Sequence, residues 1–120
     1  MDNKSGNAVL TKSKSFAIRI IRLNRYLQEQ KREYVLSKQM LRSGTSIGAN
    51  CREAVRAQST LDFIAKLNIA LKEAEETEYW LELLFETDYL NKTEFDSIYK
   101  EAEELVKLLV SIIKSMKESV

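Results

Sequence analysis

The sequence of 120 residues contains no proline, three glycines, no histidine and one cysteine, and 31% of its residues are charged. So few turn-forming residues do not suit a sandwich or barrel with many tight reversals, whereas long helices need few breaks. The lack of histidine excludes histidine-based catalytic triads, most catalytic zinc sites and the di-iron site of helical bundles. We therefore expect an all-α protein that is not an enzyme and holds no cofactor or metal.

The length suits a single domain with a substantial core. Cys51 has no second cysteine to pair with in the chain, and we expect it to be a small buried hydrophobic side chain. The N-terminal residues are polar, and no apolar run approaches the roughly 18 residues of a membrane span. These features predict a cytoplasmic protein with no membrane partner.

The net charge of +1 conceals two oppositely charged halves. Residues 1–56 hold 12 Lys and Arg against 4 Asp and Glu, whereas residues 57–120 hold 7 against 14, so the halves carry +8 and −7. Such a chain can pair its own halves, attract an acidic partner to its basic half, or do both.

Residues 1–12 lack hydrophobic periodicity and are rich in Asn, Lys and Ser, so we expect a mobile N-terminal arm before a folded domain of residues 13–120. The first helix is predicted from Ser13 to Gln30. Its core face carries four apolar side chains, Phe16, Ile20, Leu23 and Leu27.

The opposite side of the first helix is basic, with Arg19, Arg22 and Arg25. Ile18 and Ile21 lie among or beside these arginines, away from the core face. They indicate a second buried surface, which a monomer would not need.

The second helix is predicted from Tyr34 to Ala57. Its core face carries Leu36, Met40, Ile47, Cys51 and Ala54, and the opposite side carries Lys38, Arg42, Arg52 and Arg56. Gly44 and Gly48 would each cost the helix about 1 kcal/mol relative to alanine, yet the two faces stay in register only if the helix continues. With Leu41 and Val55, these glycines form a flank that permits close approach of another helix.

The third helix is predicted from Thr60 to Asp88, with Ser59 as N-cap three residues before Asp62. Its core face carries Phe63, Leu67, Ala70, Ala74, Leu81 and Phe85. Thr93 with Asp96 predicts the start of a fourth helix, whose core face carries Ile98, Ala102, Leu105, Leu109, Ile112 and Met116. Four helices with short connections predict an antiparallel up-down-up-down four-helix bundle.

The acidic run of the third helix is interpreted as a solvated face rather than a metal site, because carboxylates recur there without histidine partners. Glu78 is the exception. It lies near the core face and needs a partner, for which we expect an arginine of the second helix. Trp80 points about 110° away from the core face, which favours a subunit contact over a stacking platform for bases.

The basic stripe is the best candidate for a functional site. It comprises Arg19, Arg22, Arg25, Lys38, Arg42, Arg52 and Arg56. On two adjacent helices these cations could contact several phosphates of a nucleic acid. The alternative is pairing with the glutamates of the third helix, where exposed ion pairs contribute only about 0–1 kcal/mol each.

Two segments carry a family resemblance. Residues 38–50 read KQMLRSGTSIGAN and are followed by Arg52-Glu53-Ala54, and residues 62–74 read DFIAKLNIALKEA and are followed by ETEYWL at 76–81. Together they resemble the two signatures of the four-helix-bundle proteins of the 23S rRNA intervening-sequence family. A related branch is similar to the accessory protein of diversity-generating retroelements, a basic pentamer that binds nucleic acid.

The resemblance implies a small bacterial bundle that assembles as a homopentamer. Such an assembly would give an interface role to a set of side chains and glycines, Ile18, Ile21, Leu41, Gly44, Gly48, Val55 and Trp80. It would also make Arg42, Arg52 and Glu78 ion-pair partners. Because this chain is nearly neutral, we expect weak binding of RNA or another nucleic acid through the basic stripe, or, alternatively, a protein-interaction scaffold with no nucleic-acid role.

Overall fold

The computed structural model describes residues 3–119, which form four helices. They are α1 (Asn3–Glu29), α2 (Leu36–Val55), α3 (Thr60–Glu86) and α4 (Lys92–Glu118). α1 packs on α2 and α4, and α3 packs on the same two helices, so the four helices enclose one core. The described residues contain no strand. The predicted antiparallel four-helix bundle is confirmed.

Helix α1 starts at Asn3, so the predicted start at Ser13 is wrong. The segment expected to be an arm is helical from Asn3 onward, and residues 1 and 2 lie outside the described part. Val9 is only 1% exposed and lies two helical turns before Phe16 on the same side of α1. Burial of Val9 in the core outweighs the low helix propensity of the surrounding Asn, Ser and Gly residues.

The predicted core faces are largely confirmed, and the one clear error lies in α3. Leu84 is fully buried, whereas Phe85 is only half-buried and stacks on Phe95 of α4 with ring centroids 4.4 Å apart. Thr77 is also fully buried, which hydrophobicity did not predict. Its hydroxyl forms a hydrogen bond with the Ser43 hydroxyl of α2 at 2.8 Å, in which Thr77 is the donor. The two buried polar groups therefore have a hydrogen-bond partner inside the core.

The starts of α3 and α4 are capped by short polar side chains. The Ser59 hydroxyl accepts a hydrogen bond from the Asp62 N–H at 3.0 Å, as predicted. At α4 the cap is Asn91 instead of Thr93. Asn91 Oδ1 accepts from the Glu94 N–H at 2.8 Å, and Glu94 Oε1 accepts from the Asn91 N–H at 2.9 Å. This reciprocal capping box satisfies two backbone donors, so α4 starts earlier than the Thr93 pattern predicts.

The start of α2 is held by a buried carboxylate. Glu33 lies in the loop after α1, and its carboxylate accepts hydrogen bonds from the backbone N–H groups of Val35, Leu36 and Ser37 at 3.1, 2.8 and 2.9 Å. The Ser37 hydroxyl donates back to the Glu33 carbonyl oxygen at 2.7 Å. A negative charge bonded to free N–H groups at a helix N-terminus is favourable. Glu33 therefore fixes the first turn of α2 relative to the loop that precedes it.

The two glycines of α2 face α1 of the same chain. Gly44 is buried, and a methyl group at this position would lie 2.8 Å from Ile20 Cγ2. Gly48 is half-buried, and a methyl group there would lie 3.4 Å from Ser13 Oγ. The predicted interface role is therefore wrong for Gly44, which packs inside the bundle. Gly48 stays partly accessible at the surface between α1 and α2.

Candidate nucleic-acid interface

Two arginines of the predicted basic stripe turn toward α4. Arg19 forms an ion pair with Glu101 and donates a hydrogen bond to the Ser97 carbonyl oxygen at 3.3 Å. Arg22 lines the groove between α1 and α4 together with Glu94. Because α4 supplies carboxylates on this side, Arg19 and Arg22 do not join the cations of α2 in one uninterrupted stripe.

Arg42 turns to the other side of α2, toward α3. Its guanidinium donates to Glu76 Oε1 at 2.7 Å and lies 3.8 Å from Glu73 Oε1. The Trp80 indole N–H donates to the same Glu76 oxygen at 3.2 Å. The half-buried Trp80 thus belongs to an intramolecular network on the α2–α3 side. Arg42 pairs with glutamates of the third helix, as the alternative interpretation predicted.

The predicted pairing of Arg42 and Arg52 with Glu78 is not formed within residues 6–119. Side chains two residues apart on a helix point in directions that differ by about 200°. Glu78 therefore points toward α4, whereas Glu76 points toward α2. Burial raises the pKa of Glu78, and the negative charges of Glu103, Glu82 and Glu75 raise it further. The Tyr99 hydroxyl donates to Glu82 Oε2 at 2.6 Å in the same region. The α3–α4 side is therefore an acidic face.

Among the described residues of α1, α2 and the α2 C-cap, seven exposed cations form no ion pair, and two of them, Lys12 and Arg22, line grooves to which α4 contributes glutamates. We call the other five the basic face: Lys14, Arg25, Lys38, Arg52 and Arg56. Four of them belong to the predicted stripe. Lys14 was missed, although it lies about three helical turns before Arg25 and on nearly the same side of α1. This spacing from Arg25 is the sequence signal that could have identified Lys14.

Several apolar side chains predicted to form an interface are exposed on the same two helices. Ile18 is 40% exposed, Ile21 is 42% exposed, and Val55 is also exposed. Leu41 is half-buried against the core. Ile18, Ile21 and Val55 thus place exposed β-branched side chains on the same two helices as the basic face.

Cys51 is buried, and burial raises the pKa of its thiol to about 11, partly offset by a hydrogen bond with Ser13. The thiol is therefore protonated at neutral pH, and a protonated buried thiol is a poor nucleophile. Among the described residues, no three acidic or cysteine side chains come together as a metal site. None of the four helices, over their described length, has an apolar stretch able to cross a bilayer.

Comparison with known proteins gives a consistent picture. The family model for the 23S rRNA-intervening sequence protein matches residues 6–111. The chain is also similar to a crystal structure of a protein with unknown function from the S23 ribosomal protein family, from Bacteroides thetaiotaomicron. The two are 58% identical with a TM-score of 0.90, over 92% of this chain and 98% of the other. No match was found among curated proteins.

Proposed function

Because the chain belongs to the 23S rRNA-intervening sequence protein family, we propose that it is a non-enzymatic bundle that self-associates and weakly binds structured RNA through the basic face. The copy number we propose is five, which rests on the resemblance. The observation that supports RNA binding is the basic face itself, five exposed cations that form no ion pair within residues 6–119. Arg19 and Arg42 are excluded from this role because carboxylates of the same chain already pair with them, and Arg22 is excluded because it lines the α1–α4 groove with Glu94.

The size of the basic face limits the strength of binding. Each phosphate neutralised by a cation contributes about 0.9 to the slope of log K against log salt on a duplex. Five cations per chain therefore give a slope no steeper than about −4.5 for one subunit. Because a single subunit neutralises few phosphates, its affinity is modest, and an assembly of several copies strengthens binding by presenting several basic faces.

A charge-reversal experiment tests the proposed RNA interface. The double variant Arg25→Glu and Lys38→Glu changes the basic face, and Lys72→Glu with Lys100→Glu makes the same change in net charge at exposed positions on α3 and α4. We expect the first variant to lose RNA binding while its mass in solution stays that of the wild type, and the control to bind nearly as well as the wild type. Equal loss in both variants would show that only net charge matters and would contradict a defined interface.

The second candidate function is a protein-interaction scaffold, supported by the exposure of Ile18 and Ile21 beside the basic face. Under this alternative the apolar residues serve assembly or a protein partner, and no RNA is bound. The same charge-reversal variant separates the two functions. A scaffold predicts no RNA affinity in the wild type, and either an unchanged or a dissociated assembly in the variant.

A further inference from the structure

A groove on the surface between α1 and α2 has an uncharged floor and two cations at its sides. Its volume is about 290 Å³. Ala17 and Ala49 contribute only methyl groups to the lining and Gly48 only backbone, while Lys14 of α1 and Arg52 of α2 contribute long cationic side chains. None of the residues that line the groove carries a carboxylate. Two like charges therefore lie across a narrow cleft without a counter-charge, which focuses a positive potential within it.

The neutral polar groups of the groove do not supply the binding energy for an anion. The Ser13 hydroxyl donates to the Leu10 carbonyl oxygen at 3.3 Å, and the Thr45 hydroxyl donates to the Leu41 carbonyl oxygen at 2.8 Å. The Thr45 hydroxyl hydrogen is thus directed at the backbone, and the Ser13 hydroxyl is already engaged with Leu10 and Cys51. Any anion in the groove is held by Lys14 and Arg52, both of which are exposed and form no ion pair within residues 6–119.

We propose that this groove holds one backbone phosphate of bound RNA, contacted by Lys14 and Arg52 from opposite sides. The inference rests on the proposed RNA-binding function and adds a defined contact point to it. An arginine guanidinium presents forked donors that match two phosphate oxygens, and a lysine ammonium adds a compact positive charge. The methyl groups of Ala17 and Ala49 and the lack of a side chain at Gly48 leave room for the phosphate between the two cations.

Sharing of one phosphate makes a quantitative prediction. If Lys14 and Arg52 hold the same phosphate, loss of either cation removes most of one contact, and loss of both removes little more. The salt slope then falls by about 0.9 in each single variant and in the double variant, equivalent to roughly eightfold weaker binding near 0.1 M salt. Two separate phosphates would instead give a fall of about 1.8 in the double variant.

The experiment measures anisotropy of a fluorescently labelled RNA hairpin against KCl concentration for Lys14→Gln, Arg52→Gln and the double variant. Lys72→Gln with Lys100→Gln is the control with the same charge loss, and circular dichroism melting confirms that each variant folds. We expect the salt slope to fall by the same amount in the two single variants and the double variant, and to keep its wild-type value in the control. A fall in the double variant equal to the sum of the two single falls, or an equal fall in the control, would overturn the shared site.

Three further outcomes are decisive. If the mass of the RNA-free protein changes in the double variant, the groove holds a carboxylate of a second copy, and the phosphate proposal is wrong. If the wild type binds the hairpin but the Lys14 and Arg52 variants match it, the groove proposal fails while the RNA-binding function stands. If the wild type does not bind the hairpin even at low salt, both proposals fail together.

Discussion

Gly44 of α2 lies directly against Ile20 of α1. A methyl group at position 44 would be 2.8 Å from Ile20 Cγ2 and 2.9 Å from Ile20 Cγ1. These distances are shorter than real side-chain contacts, and a β-branched side chain in a helix has essentially one χ1 rotamer, so Ile20 cannot turn away. The glycine therefore sets how closely α1 and α2 approach in the middle of the bundle.

Replacing the two glycines of α2 by alanine should have opposite effects. Gly44→Ala overpacks the contact with Ile20 and should lower the free energy of unfolding by about 1–3 kcal/mol. Gly48→Ala places its methyl group at 3.4 Å from Ser13 Oγ, an acceptable contact, and should raise stability by up to about 1 kcal/mol through helix propensity. Urea unfolding of both variants measures the difference. Stabilisation by Gly44→Ala would show that α1 and α2 can separate without cost.

Removal of the carboxylate at the start of α2 should destabilise the bundle. Glu33→Ala leaves three backbone N–H groups without the acceptor that now holds them, and we expect a loss of about 2 kcal/mol. Glu29→Ala removes an exposed acidic residue from the last turn of α1, where a negative charge is unfavourable, so this control should be neutral or slightly stabilising. Thermal unfolding of both variants checks the prediction, and equal melting temperatures would refute the capping role of Glu33.

The acidic face should make stability depend on pH through Glu78. Its pKa is raised in the folded state, so the native protein holds this proton more tightly than the unfolded chain does. The ionised carboxylate is then destabilising at neutral pH, and the penalty is relieved as the pH falls through the folded-state pKa. Glu78→Gln should therefore raise stability at neutral pH, by less than about 1 kcal/mol because the site is partly solvated.

The gain from Glu78→Gln should shrink as the pH is lowered below the folded-state pKa, where the wild-type carboxyl is already neutral. Glu86→Gln is the control, since Glu86 is exposed and is not among the charges acting on Glu78. Unfolding free energies measured across the acidic range test both variants. A gain that is independent of pH would mean that ionisation of Glu78 is not the cause.

Self-association should depend on α1 rather than α3. Ile21 and Ile69 are the same residue type and are both 42% exposed, on α1 and α3 respectively. A charge at a buried contact is costly, so Ile21→Glu should dissociate the assembly. Ile69→Glu should keep the wild-type mass. Sedimentation equilibrium measures the mass of each variant in solution. Five chains of 13.9 kDa give about 70 kDa for the intact assembly. Dissociation by Ile69→Glu alone would place the interface on α3 instead.

The fold could be predicted because helix periodicity and low turn content agree along most of the chain. Ser59 illustrates this agreement, since its capping role follows from local sequence alone. The start of α1 could not be predicted in the same way. Val9 is one apolar residue in a polar segment, and only the packing of the other helices shows that it is buried. The burial of Thr77 and Ser43 could not be predicted for a similar reason. Their hydroxyls form a hydrogen bond with each other in the core, whereas in the sequence such polar residues are expected at the surface.

The candidate site was predicted less well than the fold. A helical wheel identifies the solvent side of one helix, but it does not tell which neighbour lies at each edge. Arg19 and Arg42 were placed on one stripe, yet they lie at opposite edges of the α1–α2 pair, against Glu101 and Glu76. The cations left over, with Lys14 added, are defined by the order of helices around the core rather than by their spacing in the chain.

The central claim is that this bundle binds structured RNA through its basic face. The most direct measurement is the affinity of the wild-type protein for ribosomal RNA fragments as the salt concentration rises from about 50 to 200 mM. We expect weak binding whose log K falls linearly with log salt, with a slope of several units set by the cations of the basic face. An absence of binding at about 50 mM salt, or a flat dependence on salt, would contradict it.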